Sequence, residues 1–469
     1  MTEPVVATAP AASAPAEPRE LPLLVCFGWG IGSLGMNVFG FAKLLLLRFM
    51  TDILGITPAV AGLLMSGSKL YDAATDPVMG IISDRTSTRW GRRRPYLLLG
   101  AILCGLSFVF LFNVPVFERP GFTAAVIGFA LILYSTAYTV FNVPYMAMPA
   151  EMTDNYHERS FLITFRVYGI AFGQVIGGFV GPLIIAYYGG GYYGHSMMAW
   201  AIGAVVLVAL LTCFATTGRA KFTQRDETVQ RGWREQWRTA RSNKPFVILL
   251  ISKLATLTGT SIMFVSLSYF VTLILEVSYT WLGYFALSIT IGMILSQPVW
   301  LKLSRRYGKR ICFISASILF ALVSLTWLAS SNGEAAFISI SRSVVLGLAS
   351  GGILLMGQSM LPDTIELDNR RTGLRREGIF SGLYTTVEKL GSAFGAGFAG
   401  LTLSFAGYIA STESETVVQP ASAITGIYIC LAVLPAVTAL LSAIAMIWYD
   451  LSEEKLKSTT LVVEETPPV

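Results

Sequence analysis

The chain has 469 residues, of which 54% are hydrophobic and 13% charged, with mean hydropathy +0.63; an ordinary soluble domain carries about 25% charged residues. So much apolar surface excludes a soluble globular protein. The net charge of +6 does not indicate nucleic acid either, because the basic residues sit in short loops between apolar blocks. Those blocks run to about twenty residues, enough to cross about 30 Å of hydrocarbon as helices, and they lack the alternation of barrel strands. An all-α membrane protein is expected.

Residues 1–20 are rich in Ala and Pro, with Glu3, Glu17 and Glu20 against Arg19, and read as a disordered cytoplasmic tail rather than a signal peptide. The apolar runs then predict spans at 22–50, 57–83, 95–115, 121–149, 162–187 and 197–217, and again at 246–275, 279–301, 311–330, 335–360, 378–407 and 422–449. This gives twelve transmembrane helices in two six-helix bundles, 21–217 and 246–450. The basic stretch 218–245 between them, with Arg219, Lys221, Arg225, Arg231, Arg234, Arg238, Arg241 and Lys244, reads as a central cytoplasmic loop, and 451–469 as a second cytoplasmic tail.

Arg85, Arg89, Arg92, Arg93 and Arg94 follow span two, and Lys302, Arg305, Arg306, Lys309 and Arg310 follow span eight, whereas the opposite loops hold almost no Lys or Arg. The positive-inside rule therefore puts both termini in the cytoplasm, in a bacterial-type inner membrane. The equivalent places of these loops, and of the acidic segments at Pro149 and Pro362, mark an internal repeat of about two hundred residues. Two halves that rock about a central site, giving alternating access, are the architecture this implies. The scattered Cys26, Cys104, Cys213, Cys312 and Cys430 read as buried apolar residues, and Gly28, Gly30, Gly32 and Gly35 as permission for close helix packing. His157 and His195 read as loop residues without metal-like partners.

Ionisable groups inside spans carry the functional signal, since each costs several kcal/mol unless paired or hydrated. Asp72 and Asp76 lie four apart in span two, on one helical face, where one cation or proton can sit between them. Thr75, Thr139 and Asn142 can add neutral oxygens for sodium. The other reading is an ion pair with Arg166 or Lys389 that only pins helices together. Lys389 in span eleven is placed to hold an anionic substrate group or to exchange partners with the two acids, or else to pair statically with Glu388. Arg166 in span five reads equally as a substrate contact or a tether. Tyr138 and Asn142 share a face of span four and are candidate substrate contacts, while Lys43, Arg48 and Lys253 read as snorkelling side chains. Asp84, Arg85, Arg89 and Arg92 form an acid and a basic turn, read as a cytoplasmic gate. No soluble domain, nucleophile triad or metal cluster is legible, so an enzyme is not expected.

The run Tyr71-Asp72-Ala-Ala-Thr-Asp76-Pro77-Val-Met-Gly80, the Asp84–Arg92 turn, Asn142-Val-Pro144-Tyr, segment 363–377 and Lys389-Leu-Gly391-Ser-Ala-Phe394 together resemble the glycoside-pentoside-hexuronide:cation symporter family, typified by melibiose permease, of the major facilitator superfamily. The likeness spans nearly the whole chain. It implies secondary active transport coupled to sodium or protons and no other cofactor. Asp72, Asp76 and Thr139 match the family's cation site, Lys389 the lysine that links cation and substrate sites, and Arg166 an arginine near the substrate. Where melibiose permease holds galactoside with acids in helices one and four, this chain has Met36 and Asn142. The expected activity is therefore symport of a glycoside-like or other sugar-derived solute, with a lysolipid or other amphiphile as the alternative substrate. A small-molecule substrate and membrane lipid are the expected partners of a monomer, with no nucleic acid.

Overall fold

The computed structural model describes residues 21–152, 156–218, 241–372, 377–412 and 417–458. The predicted central loop and both tails fall largely outside these residues. Among them the structure is helical, with one isolated bridge, Leu54 to Thr412.

The spans, in chain order, are Leu23–Asp52, Pro58–Arg85, Arg94–Leu111, Pro120–Met152, Tyr156–Tyr187, Gly191–Thr217, Lys244–Leu273, Thr280–Tyr307, Lys309–Ala329, Ala336–Thr372, Glu377–Phe405 and Ala421–Ile447. Ten are long and apolar enough to cross a membrane. The two that fall short, spans two and eleven, carry Lys69, Asp72 and Asp76, and Glu388 and Lys389. Charge inside a span lowers its hydropathy, which is why these two fall short.

Spans four and ten run further than their apolar cores predict, through Pro149 to Met152 and through Pro362 to Thr372. Beyond the apolar core a helix continues as long as its polar face is solvated, and a proline there removes one backbone bond without ending it. Span six begins at Gly191, which places His195 in a helix rather than a loop, its ring buried and Nδ1 2.6 Å from the Gly191 carbonyl.

The packing repeats between the halves. Spans one and five, one and six, two and four, three and four, and three and six pack together; so do seven and eleven, seven and twelve, eight and ten, nine and ten, and nine and twelve. Across the halves the main contacts are two with eleven and five with eight, which are equivalent pairs under the same repeat, joined by one with seven. Span one serves as a wedge: a Cβ on Gly28 or Gly32 would meet Thr216 Oγ1 at 1.7 Å or Cys213 Sγ at 2.6 Å in span six, and one on Gly30 would meet the Phe165 carbonyl at 2.7 Å in span five. All five cysteines are buried free thiols.

Spans two and eleven cross closely because both are glycine at the contact. A Cβ on Gly400 would stand 2.3 Å from the Pro58 carbonyl, and one on Gly62 2.9 Å from the Gly400 Cα. Backbone atoms cannot move aside, so Gly400→Leu is expected to pry the two helices apart and lower the melting temperature of the purified protein by several degrees, the shift that about 1–3 kcal/mol of overpacking produces. An unchanged melting curve would show that this crossing is slack.

Candidate functional site

Span two brings its acids to span eleven at mid-depth. Asp76 Oδ1 accepts a 2.8 Å bond from Thr139 Oγ1 of span four, and Oδ2 is ion-paired with Lys389 of span eleven. Lys389 Nζ also lies 3.5 Å from the Asp72 carbonyl oxygen. Asp72 is 1% exposed; its Oδ2 pairs with Lys69 Nζ at 2.6 Å, and its Oδ1 is buried without a hydrogen-bond partner. A buried carboxylate oxygen left unpaired is costly, and it is the natural acceptor for a proton or a hard cation. Thr75 is committed elsewhere, its hydroxyl bonding the Tyr71 carbonyl at 2.9 Å. The chemistry of this set, two carboxylates and a threonine hydroxyl, fits sodium or a proton as co-transported ion.

Above these acids lies Tyr138, half-buried, with Lys69 Nζ 5.5 Å from its ring centre and Phe39 stacked at 6.3 Å. Asn142, one turn on, is half-buried on the same helix. Asp72, Glu388 and Arg166 are all within electrostatic reach of the Tyr138 hydroxyl. Span four thus meets the charges of span two through Tyr138 beside Lys69 and Thr139 on Asp76. Met36 lies apart from this group, 6% exposed and packed in the apolar core.

Two charged side chains, Lys253 and Arg48, behave differently from their sequence reading. Lys253 is ion-paired with Glu388 at 3.0 Å and sits 3.1 Å over the Tyr384 ring, so Glu388 serves span seven rather than its neighbour Lys389. Lys69 was not singled out at all, although a lysine three residues before an intramembrane Asp is the helix spacing at which such pairs form. Arg48 does not snorkel. Its Nε holds Asp52 at 2.8 Å and its Nη1 donates at 2.8 Å to the Ser268 carbonyl of span seven, beneath the rings of Tyr269 and Tyr279.

Arg48 and Asp52 are the centre of a seal between the halves at the end opposite the basic loops. Tyr408 donates to Asp52 Oδ1 at 2.7 Å, Thr51 Oγ1 and Tyr269 Oη are 2.7 Å apart, and the Ser411 amide donates to the Thr51 carbonyl at 2.9 Å. At the basic-loop end, Arg85 and Arg89 are exposed, Arg89 lying over Trp90 at 5.3 Å, and Arg92 is half-buried. The side chain of Asp84 lies outside the described residues. In this conformation the halves are joined at the Arg48 end.

Known proteins share this fold and family. The solved structure of a bacterial homologue of the human lysosomal transporter Spinster, described as inward-facing and unoccupied, superposes with TM-score 0.66 at 14% identity, over 92% of this chain and 98% of that one. It establishes the fold. The inner membrane symporter YicJ of Escherichia coli (strain K12) is 29% identical, over 92% of each chain. The isoprimeverose transporter of Lactiplantibacillus pentosus is 27% identical, over 91% of this chain and 88% of its own. The family described as MFS/sugar transport protein matches residues 28–453. The protein is a multi-pass transporter rather than an enzyme, and it belongs to that family of the major facilitator superfamily.

Proposed function

We propose that this protein carries a sugar-derived solute across the inner membrane together with sodium or a proton, by alternating access, with both termini cytoplasmic. The observation that carries the reading is the meeting of Asp76, Thr139 and Lys389 beside the orphaned oxygen of Asp72, at the contact between spans two and eleven. One lysine of the second half is held by an acid of the first, so a cation that competes for that acid necessarily perturbs the contact between halves. Binding energy at the ion site is thereby linked to the gate, and by reciprocity to affinity for the solute. Tyr138, Asn142 and Arg166 are the side chains of the first half placed to contact that solute.

Melting of the purified protein against a panel of sugars, uronates and lysolipids, with and without sodium and across pH, tests this directly, since a ligand of the folded state raises stability by mass action. A sugar-derived solute should raise the melting temperature, and sodium or acid should lower the concentration needed by about tenfold or more. Stabilisation by lysolipids alone would give the amphiphile alternative instead.

A further inference from the structure

The acids of span two leave a sugar without its strongest kind of acceptor. A carboxylate accepts hydroxyl groups in charge-assisted bonds, roughly twice as strong as neutral ones. Asp76 and Asp72 each hold a lysine, and the unpaired oxygen of Asp72 is buried. Met36 packs in the apolar core, and Tyr138, Asn142 and Arg166 are neutral or cationic. A charged acceptor for the solute is therefore to be sought in the second half, where span eleven carries one.

Span eleven, Glu377–Phe405, is gripped on two sides. Towards span two, Lys389 pairs with Asp76, the Ala393 carbonyl accepts from Ser66 Oγ at 2.6 Å, and Gly400 crosses Gly62. Towards span seven, Tyr384 lies under Lys253, and a Cβ on Gly391 or Gly395 would stand 2.7 Å from Leu257 Cβ or 2.4 Å from Ser261 Cβ. Two faces remain between these contacts. One carries Phe394, Phe398 and Phe405, all exposed and apolar, and is the lipid side. The other carries Ser381, Thr385, Glu388 and Ser392, at i, i+4, i+7 and i+11, about 130° round the helix from the phenylalanines at about 100° per residue. The first three of these are exposed and Ser392 is half-buried. Polar side chains exposed on the face turned away from lipid line the interior of a bundle.

Glu388 differs from its partner in how it is held. Lys253 is 10% exposed and fixed, its Nζ donating to Glu388 Oε2 at 3.0 Å and lying 3.1 Å over the buried ring of Tyr384. Glu388 is 53% exposed, and its Oε1 accepts no bond among the described residues. A carboxylate that served only to neutralise Lys253 would be covered with it; here the lysine is covered and the carboxylate opens into the interior. We propose that Glu388 is a solute-binding residue, whose Oε1 accepts a hydrogen bond from a hydroxyl group of the transported sugar while Lys253 holds the carboxylate from behind. This rests on the reading of the protein as a carrier of sugar-derived solutes. It places the charged acceptor of the solute on span eleven, next to Lys389, so that the solute and the ion site touch consecutive residues of one helix.

The test uses the full chain in nanodiscs with D-glucose, D-galactose and D-xylose and the monodeoxy analogues of each, read as the concentration that half-saturates the melting shift. In the wild type, one analogue is expected to bind about tenfold or more weakly than its parent sugar, the loss of one hydrogen bond to a charged group. In Lys253→Met with Glu388→Met, which removes the pair together and leaves no buried charge unpaired, the parent sugar should weaken by the same factor and the analogue should bind as well as its parent. Glu388→Gln, whose amide oxygen accepts only a neutral bond, should give an intermediate discrimination and does not depend on the fold of the double variant. Discrimination that persists in full in either variant, or parent sugars bound no better than every analogue by the wild type, would overturn the assignment and leave the sugar-carrier reading standing. Stabilisation of the wild type by none of the sugars would overturn both.

Discussion

Asp76→Asn is expected to reduce the accumulation ratio of the solute in proteoliposomes with an imposed cation gradient to about one, while downhill exchange persists. The asparagine retains the oxygen that accepts from Thr139 and keeps the shape of the side chain, so what is lost is the charge facing Lys389. Without it, the driving ion has no reason to bind where it can compete with Lys389, and the solute can only equilibrate. The cost to folding is a separate matter. Removing one member of a largely buried pair leaves its partner uncompensated, at about 3–5 kcal/mol, whereas removing both is milder. Asp76→Asn with Lys389→Met should therefore recover thermal stability relative to Asp76→Asn alone but not accumulation. Asp72→Asn should also abolish accumulation, because its free Oδ1 is the acceptor on that side of the site. Accumulation at the wild-type ratio in both single variants would remove these acids from the coupling site.

Much of this site was legible because a charge inside an apolar run is conspicuous. Asp72, Asp76, Arg166 and Lys389 stand out in the sequence for that reason, and Thr139 is legible as one of several neutral oxygens near the acids, which the family resemblance also matches. Pairing was harder to read. Glu388 and Lys389 are adjacent, yet neighbours along a helix point about 100° apart, and only the tertiary fold shows that one faces Lys253 and the other Asp76. The break after Gly40 was also hidden, because Phe41 and its neighbours are apolar and leave the hydropathy of span one uninterrupted. Arg48 was misread for a related reason. A cation near a helix end is reached by water in a single helix, but here Ser268, Tyr269 and Tyr279 of the other half lie against it, and only the packing of spans one and seven reveals this.

Arg48→Gln is expected to shift the molecule toward the state open at the Arg48 end. In the wild type, Arg48 makes one charge-assisted bond across the halves, to the Ser268 carbonyl, and holds Asp52 in place for the bond from Tyr408. A hydrogen bond to a charged group contributes about 1.5–3 kcal/mol, which is about a 10- to 100-fold change in a two-state equilibrium. The glutamine also leaves Asp52 without its cation, so the closed state loses twice while the open state, with water at Asp52, loses little. The measurement is the labelling rate of Ser411→Cys by a membrane-impermeant thiol reagent, with the five buried native thiols as the unlabelled background. Ser411 is half-buried and its amide is bonded to Thr51 across the seal, so its labelling reports opening of that contact. A rise of tenfold or more in the Arg48→Gln background is the expected result, together with slower turnover, because a carrier that dwells in one state completes fewer cycles. Labelling at the wild-type rate would mean that the aromatic and backbone contacts of Tyr269, Tyr408 and Ser411 hold the seal by themselves, and that the charge pair serves only to neutralise a buried end of span one.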